Sequence, residues 1–289
     1  MYPILFQWGP IRIGSYGVML ALAFLSAILL TNREFRKSKL DIGLAWDIYL
    51  FAIAGGMVGS RILFIIENWS DFLTRPSAYI FTVTGFSVIG GYLLAFCLCI
   101  LRIRQAGEPF RRIADLCAPG MASGYAIGRL GCFVAGDGCY GHPTRGWWGM
   151  CFPNGLVPTL SEKNYGLKMM YMRLFPGTTV PTDIAVHPTP VYESLSHFLL
   201  LFFLLWLTWE IGSGRRFAFF FGWFGTSRFF VEFIRLNPIG PLGLTSDQWL
   251  AIVLVIVALM FRFLFPVKHV PVYADPPPTT ETNESEISP

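Results

Sequence analysis

The sequence predicts an all-α polytopic membrane protein. Seven transmembrane helices are expected, with the N-terminus outside, the C-terminus cytoplasmic, and a small extracytoplasmic cap in loop 136–188. Three observations lead there. Of the 289 residues, 54% are hydrophobic and only 14% charged, where a soluble domain carries about 25% charged residues. The apolar residues gather into stretches of the roughly 20 residues that cross a bilayer. Lys and Arg then alternate from loop to loop, as the positive-inside rule requires. The +4 formal charge is spread over the short loops between apolar stretches. It is no nucleic-acid signal, and no nucleic-acid partner is expected.

The first stretch runs over 14–31. The preceding MYPILFQWGPIRIG lacks a basic region, a short apolar core and a small-residue cleavage site, so no removed signal peptide is expected. The second, 46–66, contains GGMVGSR, and the third, 83–101, contains GFSVIGGYLLAF. The fourth, 113–135, is broken by Pro119 and several glycines. The fifth, 189–209, opens on prolines suited to a helix start. The sixth covers 217–235 and the seventh 247–265. Basic residues crowd the loops after the first, third and fifth stretches: Arg33, Arg36, Lys37 and Lys39; Arg102, Arg104, Arg111 and Arg112; Arg215 and Arg216. The loops after the second and sixth are poorer, with Arg75 and Arg235. Loop 136–188 carries turn prolines and aromatics and is too long for a plain connector. Residues 1–270 therefore read as one membrane domain, and 271–289 as a Pro-rich, acidic, disordered tail.

Charges inside apolar stretches are costly and mark candidate sites. Arg228 and Glu232, spaced i, i+4, share a helical face, and Arg235 follows on it near the helix end. The bland alternative is a charge-cancelling intrahelical pair. Arg129 opens a run with glycines at 128, 131, 136, 138 and 141, which also holds Asp137. Non-helical backbone at membrane depth lines a cavity or is buried in protein, so Arg129 is expected to face a polar cavity with Asp137 near its mouth. A packing turn with an Arg129–Asp137 pair is the alternative. Arg61, after GGMVGS, adds a third arginine on a third stretch. Together they suggest recognition of a lipid phosphate. His187, Tyr192 and Glu193, in HPTPVYE, lie at the outer interface.

Of six cysteines, Cys97, Cys99 and Cys117 lie in or beside apolar stretches, while Cys132, Cys139 and Cys151 surround the glycine-rich run. The spacing of Cys132, Cys139 and His142 is no standard zinc pattern, so no metal or organic cofactor is expected. Cys139 with Cys151 is a possible disulfide if the loop is oxidised, but free cysteines fit better. Serine-hydrolase and zincin motifs are missing from the sequence.

Taken together, SYG at Ser15–Gly17, GGMVGSR ending at Arg61, GRLGCFVAGD at Gly128–Asp137, HPTPVYE at His187–Glu193 and RFFVEFIR at Arg228–Arg235 resemble the prolipoprotein diacylglyceryl transferase family. The resemblance implies transfer of the diacylglyceryl unit of phosphatidylglycerol to the lipobox cysteine thiol of a preprolipoprotein, releasing glycerol-1-phosphate, in the bacterial plasma membrane. It implies catalytic roles for Arg129, Asp137, Arg228 and Glu232, and substrate contacts from Tyr16, Arg61, Gly90, Gly91, His187, Tyr192, Glu193 and Arg235. Where the family reads His-Gly-Gly, this chain reads Ile89-Gly90-Gly91, and an isoleucine cannot take a proton. Either Asp137 or Glu232 acts as base instead, or the chain binds phospholipid with altered or no transfer. A lipid transporter is the competing class; the want of an internal repeat argues against it.

Overall fold

The computed structural model describes residues 2–9, 11–80 and 87–263. The proposed tail 271–289, residues 83–86 of the third stretch and 264–265 of the seventh lie outside them. The chain opens not on a helix but on a hairpin, β1 (Ile4–Trp8) paired antiparallel with β2 (Ile11–Gly14). The β-branched and aromatic residues ILFQW and IRIG favour strands, and Gly9, at φ +56°, makes the turn. Among the described residues ten α-helices follow: α1 (Ser15–Lys37), α2 (Ile42–Glu67), α3 (Trp69–Thr74), α4 (Pro76–Ile80), α5 (Val88–Gln105), α6 (Phe110–Ala135), α7 (Tyr165–Leu174), α8 (Thr189–Trp206), α9 (Arg215–Glu232) and α10 (Ser246–Phe263). All-α is thus corrected to mostly helical with one short hairpin.

Each of the seven expected stretches overlaps one of the long helices α1, α2, α5, α6, α8, α9 and α10. Among the described residues, α1, α2, α8 and α10 are long and apolar enough to cross a membrane. Two local expectations need correction. α6 runs unbroken through Pro119, because a missing N–H is tolerated where neighbouring helices pack around it; Ala118 and Pro119 are buried. α2 starts earlier than the apolar run, since Asp41 caps it by accepting from the Gly43 N–H at 2.9 Å.

Glycines decide two helix crossings. A Cβ on Gly59 would lie 2.3 Å from the Gly90 carbonyl, and one on Gly90 2.4 Å from the Gly59 carbonyl, so α2 and α5 meet backbone to backbone. α6 packs on α1 similarly: a Cβ on Gly120 would lie 2.5 Å from Thr31 Oγ1. Ser26 and Ser123 hydroxyls join the same pair of helices at 2.8 Å.

One end of the bundle gathers the basic loops. There Arg216 pairs with Glu34 at 2.6 Å, both buried. Asp115, fully buried, accepts from the N–H groups of Gly212, Gly214 and Phe217 and so caps the start of α9. At the other end, residues 136–188 fold as a small cap around Tyr140, Phe152, Leu167, Tyr171, Ile184 and Val186. The cap is tied across by bridges pairing Met150 with Val186 and Leu160 with Asp183.

Candidate functional site

The site forms where the cap meets α6, α8 and α9, and one carboxylate organises it. Glu193, in the first turns of α8, has a side chain only 1% exposed. Its Oε1 accepts from Arg228 at 2.7 Å and from the Tyr125 hydroxyl at 2.9 Å. Its Oε2 lies 3.2 Å from Arg129 Nε and 3.6 Å from Arg235 Nη1. Three arginines from two helices and a loop converge on it. A carboxylate is stable at such burial only when paired and hydrogen-bonded, and each arginine is held by the same anion.

Arg129 is held along its own helix as well. Its Nε and Nη2 donate to Tyr125 Oη at 3.0 and 2.9 Å, and its guanidinium stands 5.0 Å over the Tyr125 ring. Arg228 also contacts Glu232 at 3.4 Å and makes a tight ion pair with Asp247 at the start of α10. Arg235 lies beyond α9, 3.7 Å from Glu232. Glu232 is fully enclosed and accepts from Asn237 Nδ2 and, at 3.1 Å, from Thr245 Oγ1. Three buried atoms of this network, Glu193 Oε2, Glu232 Oε2 and Arg235 Nη1, make ion-pair contacts but no hydrogen bond.

The backbone of the cap fixes the arginines relative to one another. His142 N–H donates to the Ile234 carbonyl at 2.8 Å, Gly141 N–H to the His187 carbonyl at 2.8 Å, and His187 N–H to the His142 carbonyl at 3.1 Å. The Thr189 hydroxyl donates to the Cys139 carbonyl. The exit from α9, the loop after α6 and the entry to α8 are thus laced together. His187 Nδ1 lies 3.3 Å from the Tyr192 hydroxyl. Burial, and secondarily the charge of His142, hold the His187 imidazole below its ordinary range, so it is neutral at neutral pH.

The expected residues separate into groups. Arg129, Arg228, Arg235, Glu193 and Glu232 come together. Tyr16, Arg129, Cys132, Asp137 and Cys139 lie within electrostatic reach beside them. The Arg129–Asp137 pair weighed from sequence is not what forms: Arg129 takes Glu193, and Asp137 accepts from Cys139 N–H at 3.0 Å. Gly90 and Gly91 pack against Gly59 and Gly56 of α2. That role is enough to require glycine at both positions. Arg61 is on that same helix and donates to the Tyr79 carbonyl at 3.2 Å. Ile89 is 62% exposed on α5. All six cysteines are free, so Cys139 and Cys151 do not pair.

Sequence reading missed Tyr125, Asp247 and His197. Tyr125 precedes Arg129 by one helical turn, a spacing that could have flagged it. Asp247 belongs only because α10 folds back on α9. His197 is 1% exposed, and its Nδ1 lies 2.8 Å from the Glu193 carbonyl. Since a carbonyl only accepts, Nδ1 carries the proton and Nε2 is left as a buried acceptor with no hydrogen-bond partner among the described residues. Beside these helices a groove of ≈ 670 Å³ runs between α8, α9 and α10, lined by Ser196, Trp223, Ser227 and Val255 among others.

A family description reading "Prolipoprotein diacylglyceryl transferase" matches residues 3–264. The chain belongs to this family. Among curated relatives, a phosphatidylglycerol--prolipoprotein diacylglyceryl transferase of Clostridium tetani is 29% identical over 265 residues, 90% of this chain and 96% of the relative. Proteins of the same name from Xanthomonas euvesicatoria, at 30% identity over 86% of this chain and 83% of the relative, and Parasynechococcus marenigrum, at 29% over 82% and 81%, are also similar. The matched residues include the whole arginine network. Apolar helices and family together make it a membrane protein.

Proposed function

We propose that this protein transfers the diacylglyceryl group of phosphatidylglycerol to the lipobox cysteine thiol of preprolipoproteins, releasing glycerol-1-phosphate. The observation that carries this reading is the convergence of Arg129, Arg228 and Arg235 on Glu193, in a chain whose relatives bear that activity in their names. In this reaction the acceptor sulfur attacks the glycerol carbon that bears the phosphate. A C–S bond forms, the C–O bond breaks, and its electron pair leaves with the phosphate. Guanidinium groups fixed in advance are suited to that developing charge. Glu193 sets their positions and Tyr125 aims Arg129, so both are positioning residues. The groove between α8, α9 and α10 suits an acyl chain. The nucleophile belongs to the substrate, so the enzyme needs none of its own.

The acceptor thiol, with an ordinary pKa of about 8.5, must lose its proton. Glu232 is enclosed and ion-paired with Arg228 and Arg235, whereas Asp137 is part-exposed beside the network. We assign the handling of that thiol to the Asp137 side. His187 and Tyr192 form a neutral polar edge under the cap, suited to the phosphatidylglycerol head group. In the membrane we place seven spans, the N-terminus and cap outside, the C-terminus in the cytoplasm, in the bacterial inner membrane; the alternating basic loops and the gathering of Arg112, Arg215 and Arg216 at one end support this.

The test uses purified protein in phosphatidylglycerol liposomes with a lipobox peptide, and mass spectrometry for the diacylglyceryl thioether on the peptide cysteine. Product is expected from the wild-type chain and is expected to fall about 10²–10³-fold in Arg228→Ala, the usual cost of one donor to a developing anion. Undiminished product from Arg228→Ala would remove the arginines from the reaction.

A further inference from the structure

Beside the arginine network, three metal-ligating side chains meet at the end of α6. The sulfurs of Cys132 and Cys139 and a carboxylate oxygen of Asp137 all lie within 4.8 Å of one another. The backbone builds this deliberately. Gly136, at φ +60°, caps α6, and its N–H and that of Asp137 both donate to the Cys132 carbonyl at 2.9 and 3.4 Å. Gly138, at φ +89°, then turns Cys139 back over Cys132. The Cys139 N–H holds one oxygen of Asp137 at 3.0 Å and so orients the carboxylate. The sequence alone leads to no metal expectation, since the spacing of Cys132, Cys139 and His142 is no standard zinc pattern; the third donor in this cluster is Asp137, not His142.

This donor set has a chemistry. Donors to one tetrahedral zinc-like cation sit about 2.0–2.3 Å from it, hence about 3.3–3.8 Å apart, and two thiolates select a thiophilic ion. Three protein ligands leave a fourth position open, which is the pattern of reactive rather than structural sites. Cys132 is 8% exposed, and Asp137 and Cys139 are partly exposed, so the cluster is accessible from one side.

We propose that Cys132, Asp137 and Cys139 hold a zinc-like divalent cation whose fourth position takes the acceptor thiol as its thiolate. The thiol part rests on the transferase reading above; the cation part does not. On binding, the acceptor S–H gives its proton to water. The sulfur electron pair then makes the C–S bond while the C–O bond to phosphate breaks toward the arginines. This supplies the deprotonation that Ile89, in the place of the family's histidine, cannot.

The experiment is a Co²⁺ titration of the full-length protein in detergent, with its affinity tag removed, its thiols reduced and prior metal stripped by a chelator. One Co²⁺ per chain is expected, with thiolate-to-cobalt absorption in the near ultraviolet and the visible bands of a tetrahedral ion. Cys132→Ser and Cys139→Ser are expected to lose both. Cys139→His, which keeps a donor, is expected to retain the ion with weaker near-ultraviolet absorption. Adding a lipobox peptide should shift the visible bands, and its Cys→Ser version should not. Absent cobalt–thiolate absorption in helical protein with both thiols free overturns the site, as does a Cys132–Cys139 disulfide in protein purified without reductant. Bands indifferent to the peptide thiol overturn its role in activation. Cobalt bound normally by a protein that makes no thioether would instead locate the failure in the transferase reading.

Discussion

At the scale of single residues, Glu193 carries the greatest leverage. It is the shared counter-charge of three arginines, and removing one member of a buried ionic set leaves the others uncompensated. Glu193→Gln is expected to destabilise the protein by about 3–5 kcal/mol and to abolish transfer; thermal unfolding in detergent together with the liposome assay checks both. A variant as stable and active as wild type would show that the arginines position themselves. His187 gives a pH signature. Its folded-state pKa is depressed below the ordinary 6.5 by burial and by His142, so folding favours the neutral ring. Its contribution to stability is therefore fully present above about pH 6.5 and is lost as pH falls through the lower folded value. Melting temperature followed over pH 7 to 4 should decline less steeply in His187→Gln than in wild type.

At the scale of helices, backbone contact rather than side-chain chemistry explains several glycines. Gly59→Val is expected to separate α2 from α5, because its Cβ would enter the Gly90 carbonyl at 2.3 Å. Gly128→Ala, with no atom within 4 Å of the added Cβ, should be neutral; expression and thermal stability of the two variants side by side provide the comparison. Ile89→His is expected to leave folding intact, since the side chain is 62% exposed on α5, and loss of folded protein would contradict that placement. The helices themselves were largely legible in the sequence, because apolar length is a one-dimensional property. Their ends were less so. α9 stops at Glu232, leaving Arg235 on the following loop, and α6 passes through Pro119 because its neighbours enclose it. The opening hairpin, in residues ahead of the first apolar stretch, was missed, since strands of five and four residues leave only a short pattern.

At the scale of the whole molecule, the ends of the bundle differ in purpose. One end holds the enclosed Arg216–Glu34 pair and the Asp115 cap of α9, and makes the fold. The other holds the arginine network under the cap, where the proposed site lies. Placing the cap outside has a direct check: Trp147, 93% exposed on the cap, changed to cysteine in a variant whose exposed Cys97 and Cys151 are alanine, is expected to react with a membrane-impermeant maleimide in intact spheroplasts. Labelling only after lysis would invert the orientation.

By itself the sequence determined the membrane class, the helical stretches, the presence of Arg129, Arg228 and Glu232 as charges within apolar stretches, and the family resemblance, because hydropathy, charge placement and motif order are all written along the chain. Only the tertiary structure decided which charges meet. It set Glu193 rather than Asp137 against Arg129, brought Asp247 to Arg228 from α10, turned Gly90 into a packing residue, and joined Cys132, Asp137 and Cys139. Pairing between helices depends on distances across the bundle, and spacing along one helix cannot specify them.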